Sequence, residues 1–214
     1  MGDCIDRYMG LVAERADLFT PEAGFSYVVD EARLREASTD EAPLGLLYAS
    51  DYHYLLVDLI QMSDGAMLRY ERFVQRASGR GVVVVPESED GIVLLQQERP
   101  PAGGVFWGFP RGFGEDGLEA HENARKEVTE ELSCTACDFT ELGSFVADTG
   151  VTGDRVVAFN CTVADVAPSV GYEGTLSWRA VSYEELRTMV RAGEIDDGMT
   201  LSALRLYEAA KGLA

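Results

Sequence analysis

The chain has 214 residues, with 18 Lys+Arg against 37 Asp+Glu for a formal charge of −19. That length predicts one compact domain or one domain with an extension, and 46% hydrophobic with 26% charged residues excludes wholesale disorder. The acidity excludes a broad nucleic-acid or anionic-membrane surface, because phosphate polymers are gripped by clustered Lys and Arg; an anionic substrate must instead meet local arginines or a metal ion.

The opening MGDCIDRYMG has neither a basic leader nor an apolar stretch, and no run reaches the roughly 20 apolar residues of a membrane span, so the expected compartment is the cytoplasm. Residues 1–45 read as an acidic N-terminal extension, with ten acids against four arginines for a net −6. Ile5, Tyr8, Met9, Val12 and Ala16 recur there at helical spacing behind Asp3 as a cap, which predicts a short amphipathic helix. Ser38–Pro43 reads as a linker. Residues 46–79 form a second segment, a β-hairpin in which YHYLLVDLIQ and AMLRYERFVQ flank the turn Ser63-Asp64-Gly65. Its Tyr52, Tyr54, Leu56, Ile60, Tyr70 and Phe73 need cover, because a lone two-stranded ribbon is marginal in water.

Residues 80–214 form the third segment. GVVVVP (81–86) and IVLLQQERP (92–100) read as a second strand pair, and the run Val82–Val85 suits a strand buried on both faces. A short FWGF stretch leads to a glycine-rich loop, 110–117, and then to a charged helix over Leu118–Leu132. Further strands are expected at 142–147, 155–163 and 175–181, and helices at Ser182–Ala192, with a Ser182/Glu185 capping box, and Thr200–Ala210. The class is α/β, with a mixed sheet flanked by helices. Cys4, Cys134, Cys137 and Cys161 make no disulfide framework. Cys134 and Cys137 have zinc spacing, but no second CxxC follows and the histidines are only His53 and His121, so the cysteines read as small buried hydrophobes.

Chemistry concentrates in LEAHENARKEVTEEL. On a helix, Glu127, Glu130 and Glu131 stand at i, i+3 and i+4, so three carboxylates share one face with no following lysine to relieve them. The bland alternative is a solvated acidic face. A hard divalent cation would turn the repulsion into binding, because Mg²⁺ takes carboxylate oxygens and keeps waters for chemistry. The glycine-rich loop ends at the start of this helix, where backbone N–H groups can face anions. Arg99, Arg111 and Arg155 lie in flanking segments where they could meet phosphate. Gly112-x-Gly114-x-x-Gly117 also spells the dinucleotide fingerprint, but Pro110 breaks the strand that a dinucleotide fold needs before it.

The run from Gly112 through Leu118 to Lys126-Glu127-Val128-Thr129-Glu130-Glu131-Leu132-Ser133-Cys134 resembles the Nudix box. Gly112, Glu127, Val128, Glu130, Glu131 and Cys134 match in register, while Leu118, Lys126 and Ser133 replace a Glu, an Arg and a Gly. VLLQQERPPAGG before the box, and Glu194-Ile195-Asp196-Asp197 with Thr200, Ala203 and Leu204 after it, resemble the ADP-ribose pyrophosphatase branch. The resemblance implies a Nudix-type α/β/α sandwich with a mixed sheet. It implies Mg²⁺, with Mn²⁺ as a substitute, and cleavage of the diphosphate in a nucleoside diphosphate linked to another moiety, ADP-ribose first. Glu127, Glu131 and the Arg111 carbonyl beside Gly112 would be metal ligands, with Glu130 in support. Glu173 would be the general base, and Arg99, Arg111 and Arg155 the phosphate contacts. Trp107 and Phe109 could stack a base but read more readily as core. Gly108 stands where such enzymes carry a ribose-binding Glu. The implied partners are a small nucleotide substrate and a second copy of the chain in a homodimer, with no nucleic acid and no membrane. The alternative is a catalytically weak or silent domain that binds a nucleotide as a sensor.

Overall fold

The computed structural model describes residues 3–21 and 24–213. Met1, Gly2, Glu22, Ala23 and Ala214 lie outside them, Glu22 being one of the ten acids of the extension. The chain divides into two units, Met1–Arg76 with Asp148–Gly153, and Ala77–Ala147 with Asp154–Ala214.

In the first unit, α1 (Cys4–Glu14) starts at Asp3, whose carboxylate accepts the Ile5 N–H at 3.1 Å, and it buries Ile5, Tyr8 and Leu11. β1 (Phe25–Tyr27), α2 (Glu31–Ala37), β2 (Gly45–Ala49), β3 (His53–Met62) and β4 (Met67–Gln75) follow. The expected hairpin forms as β3–β4 but is no lone ribbon. β4 takes one edge of β3, while β1 and β2 pair with the two ends of its other edge. Residues of the acidic extension then cover one face, where Ile5, Tyr8, Leu11 and Leu34 pack with Leu44, Leu56 and Leu59. Leu56 and Ile60 are therefore buried, whereas Tyr52, Tyr70 and Phe73 stay exposed. β1, α2 and β2 are too short to show a period, which is why sequence patterning misses them.

One buried charge organises this core. Asp58 has no exposed surface, and its carboxylate accepts from Arg72 Nε at 2.6 Å and from the Tyr8 hydroxyl at 2.6 Å. Arg72 also donates to the Leu18 carbonyl and stacks over Tyr27, 4.5 Å from the ring centre.

The second unit contains β5 (Gly81–Ser88), β6 (Gly91–Arg99), β7 (Gly104–Gly108), β8 (Arg111–Gly112), α3 (Ala120–Leu132), β9 (Thr135–Val146), β10 (Arg155–Ala164), β11 (Thr175–Val181), α4 (Tyr183–Ala192) and α5 (Gly198–Lys211). The sheet runs β11-β6-β5-β10-β9, and β10 is parallel to β5 while its other neighbours are antiparallel. The sheet is mixed, as expected. Val82–Val85 are all fully buried. Val82 and Val84 meet Ala124, Val128 and Leu132 of α3, while Val83 and Val85 meet Leu186, Met189, Ala203 and Leu204 of α4 and α5. Helices thus cover both faces of one sheet.

β5 and β6 depart from a simple hairpin. They pair only beside the turn, Glu87 with Ile92 and Ser88 with Gly91. Beyond it they separate, and the chain from β7 to β8 fills the fork, β7 on β6 and β8 on β5. Of the expected capping box, the Ser182 half forms: its hydroxyl accepts the Glu185 N–H at 3.2 Å, while the Glu185 carboxylate lies 3.7 Å from Arg179. All four cysteines are free thiols, but only Cys161 is buried and Cys137 is exposed, so the hydrophobe reading holds for part of the set. Among the described residues no helix is long and apolar enough to cross a membrane.

Removing one partner of a buried ion pair strands the other charge, at roughly 3–5 kcal/mol. Arg72→Ala should therefore destabilise the protein by about 3 kcal/mol in urea denaturation followed by circular dichroism. A loss below about 1 kcal/mol, the range of an exposed pair, would show that Asp58 reaches solvent or another donor.

Candidate active site

The fork between β5 and β6 brings α3, β6, β8 and the start of α5 together. Glu131 lies on the buried side of α3 at 2% exposure. Its Oε1 accepts from Gln97 Nε2 at 3.1 Å, and its Oε2 accepts the Arg111 N–H at 3.0 Å. Glu127, one turn earlier, lies against Gly112, where a Cβ would overlap the Glu127 carboxylate. Gly112 is required here for space, because any side chain would push that carboxylate out of the site. Burial pushes both carboxyls up, Glu127 to about 7 and Glu131 to about 7. Their mutual repulsion adds to the rise at Glu131, against the bonds from Gln97 and Arg111. Glu130 points elsewhere: it is exposed, with Lys126 Nζ 3.8 Å away.

Lys126 also pairs with Glu115 in the loop before the helix. That loop is tied down by Asp116, which accepts from Ser78 N and Oγ at 2.7 and 2.9 Å, and by Asn123 Nδ2 donating to the Phe113 carbonyl at 2.8 Å. Gly114 lacks a Cβ because the Gly79 backbone occupies that space. The glycines at 112 and 114 are thus explained by close packing within the protein.

Two guanidinium groups lie beside the carboxylates. Arg99 donates to Gln97 Oε1 at 2.6 Å, and Arg111 donates to Asp197 Oδ1 at 3.0 Å. Burial and then the Arg111 charge hold the Arg99 guanidinium below its ordinary value, which puts two like charges within reach of each other. Gln97, fully used by Glu131, Thr175 and Arg99, joins the acidic and basic halves. Glu173 sits on an exposed turn, Tyr172–Gly174, with φ +46°, and its charge acts on Glu127 and Arg99. Arg155 opens β10, exposed, with no contact linking it to this cluster. Of the residues singled out from sequence, the fold joins Glu127, Glu131, Arg99, Arg111 and Gly112 directly. Glu173 is near, and Glu130 and Arg155 stand apart.

Gln97, Asp197, Thr200 and Thr175 have site roles that the sequence reading does not assign. Asp197 and Thr200 do appear in the motif after the box, and the Asp-x-x-Thr spacing of a helix cap is a signal that could have marked them. Gly108 abuts Thr200: a Cβ there would come within 2.8 Å of its hydroxyl. Phe109 is buried in the core and Trp107 lies under Arg179, 4.5 Å from the guanidinium, so packing accounts for both.

The model of the NUDIX domain matches residues 76–200, more than half of the chain. The chain belongs to the Nudix hydrolase family. A solved structure described as the crystal structure of an ADP compounds hydrolase aligns with a TM-score of 0.70 at 16% identity, covering 91% of this chain and 100% of that one. At that identity the likeness establishes a shared Nudix fold. A comparison with curated proteins gave no match.

Among the described residues no three His, Cys, Asp or Glu side chains gather as a metal cage. Mg²⁺ does not require one, because it is commonly held by one or two carboxylates with substrate phosphates and water. Two desolvated, mutually repelling carboxylates, with that of Glu127 seated against Gly112, fit such an ion in this Nudix site.

The folded chain keeps protons on Glu127 and Glu131 up to about pH 7, whereas the unfolded chain releases them near the ordinary value of 4.5. Metal-free protein should therefore lose stability as pH rises between these values. Asp17, held low by Arg15, acts in the opposite sense and only below the usual carboxylate range. In EDTA the Tm should be lower at about pH 8 than at about pH 5.5, and Glu127→Gln with Glu131→Gln should flatten the profile. A wild-type Tm that is flat or rises across that window would contradict the desolvation of these two groups.

Proposed function

We propose that this Nudix hydrolase cleaves the diphosphate of a nucleoside diphosphate linked to another moiety, with ADP-ribose, giving AMP and ribose 5-phosphate, as the first candidate. One observation carries the reading: a buried and a half-buried carboxylate and two guanidinium groups converge on one fork of the sheet, which suits a divalent cation beside a diphosphate. The structural relative, an ADP compounds hydrolase, agrees with that substrate class.

Glu127, Glu131 and the Arg111 carbonyl would hold Mg²⁺, or Mn²⁺ in its place. The ion would neutralise charge that develops on the diphosphate oxygens as water attacks. Gln97 and the Arg111 N–H fix Glu131 so that its oxygens do not reorient during the reaction. Arg99 and Arg111 orient the diphosphate, with Arg155 a further contact if a substrate reaches β10. Glu173 would take a proton from the attacking water, since it lies on a turn against β6 and its charge acts on Glu127. Glu130 supports the helix face through Lys126.

Tyr52, Leu68, Tyr70 and Phe73 expose apolar surface on the first unit, and a homodimer would cover it. Light scattering at micromolar concentration should give twice the chain mass, and a monomer with full activity would end this part of the reading.

AMP release from ADP-ribose with Mg²⁺ tests the activity. Glu127→Gln and Glu131→Gln should each lower turnover at least a hundredfold, or ~2.7 kcal/mol in barrier. Glu127→Gln should not lower Tm in EDTA at about pH 8, because it removes a desolvated charge, whereas Glu131→Gln turns an amide N–H toward either Gln97 or the Arg111 N–H and should lower it. Near-full activity in both variants would place the metal elsewhere. Binding of ADP-ribose by wild type without turnover would favour the sensor.

A further inference from the structure

Arg111 emerges from a two-residue strand, so its backbone alone holds its side chain loosely. Asp197 supplies what is missing. It is the N-cap of α5, and its two carboxylate oxygens have separate duties. Oδ1 accepts from Arg111 Nη1 at 3.0 Å. Oδ2 accepts from Thr200 N at 2.9 Å and from Thr200 Oγ1 at 2.7 Å. The Thr200 oxygen accepts in turn from the Phe109 N–H at 3.2 Å, two residues before Arg111. Arg111 is therefore gripped at its guanidinium, while the chain just before it is gripped through Thr200. Both members of the ion pair are about four-fifths buried, with side-chain exposures of 20% and 18%. Arg99, already fastened to Gln97, stands near enough to repel Arg111. Without a counter-charge Arg111 would turn away from Arg99 and the pair would cease to converge.

We propose that Asp197 is the positioning residue that holds Arg111 beside Arg99, so that the two guanidinium groups form one binding site for the substrate's diphosphate. This rests on the proposed function, because it assumes that the arginines face a diphosphate. The role demands two acceptors in one side chain. Asparagine caps a helix as well as aspartate does, but its amide offers one acceptor and one donor group. With its oxygen on Thr200 N it must turn N–H groups toward Arg111. Asp197→Asn thus keeps the cap and releases the arginine.

The test uses the full-length protein and ADP-ribose. In calorimetric titration with EDTA present, where hydrolysis does not interfere, Asp197→Asn should bind ADP-ribose at least tenfold more weakly than wild type. With Mg²⁺ its KM should rise by a similar factor while kcat stays within about threefold, the signature of an interaction made equally in ground and transition states. Its Tm should fall, because Arg111 loses a mostly buried partner, while its circular dichroism spectrum at room temperature stays that of wild type. In an Arg111→Met background the same substitution should add nothing further. If Asp197→Asn folds poorly, Asp197→Ser, which can still cap, takes its place with the same expectations. Unchanged binding in a folded variant overturns the proposal, and so does an effect that adds in full to that of Arg111→Met. Wild type that hydrolyses ADP-ribose while its variant disagrees sinks this inference alone. Wild type that neither binds nor hydrolyses ADP-ribose sinks the functional reading, and this one with it.

Discussion

Two desolvated carboxylates, one buried and one half-buried, impose the constraint that orders the second unit. Glu131 is enclosed on α3, and Glu127 fits only because Gly112 has no side chain. Desolvation penalises the charged form of each, so the protein must supply donors to the oxygens it can reach. It supplies an amide from Gln97 and a main-chain N–H from Arg111, both to Glu131. Glu127 receives no such donor among the described residues. Its unmet demand is what a cation would satisfy, and the loop before α3 is stapled by Asp116, Asn123 and the Gly79–Gly114 approach so that Gly112 cannot move away.

The divided sheet makes this arrangement available. Had β5 and β6 paired along their whole length, Arg111 could not have offered its N–H to α3, because no strand end would have lain there. Their separation after two residue pairs lets the chain from Gly104 to Gly112 enter the fork. At the other end of β5 the polar groups close on one another. Glu87 there accepts from Tyr207, Lys211 and Asn160, which joins α5 to the sheet and leaves no demand for a ligand. One end of the strand is satisfied by the protein, and the other holds the fork where the carboxylates and guanidinium groups meet.

What was legible in the sequence follows from what is periodic. Val82–Val85 announced a doubly buried strand, the Ser63-Asp64-Gly65 turn announced β3–β4, and the spacing of Glu127, Glu130 and Glu131 announced a shared helix face, from which Glu130 turns outward to Lys126. The fork was not legible, because pairing partners depend on contacts far apart in the chain, and GVVVVP followed by a turn reads the same whether or not the strands part. Gln97 was hidden for a related reason: one glutamine in QQER gives no local sign that its amide bridges a carboxylate and a guanidinium. The glycine-rich loop invited a phosphate cradle, yet Gly112 and Gly114 have packing reasons for being glycine. The acidic extension hid its structure because β1, α2 and β2 are short, and their order comes from the sheet they join.

The departures from the Nudix box fall where the physical demand is weakest. Lys126 in place of Arg forfeits a bidentate fork, but its partners Glu115 and Glu130 are themselves nearly half exposed, and such pairs contribute little. Ser133 ends α3 in a left-handed conformation, φ +46°, that glycine would adopt more easily, a cost confined to the helix terminus. Leu118 precedes the helix altogether, since α3 begins at Ala120. The positions kept are Gly112, where a side chain would displace the Glu127 carboxylate, Glu131, on which two donors depend, and Val128, which is buried in the core. Where the pair is mostly buried, at Arg111 against Asp197, the contact runs through one nitrogen and one oxygen. Burial, more than the letter of the motif, separates the substitutions this site can absorb from those it cannot.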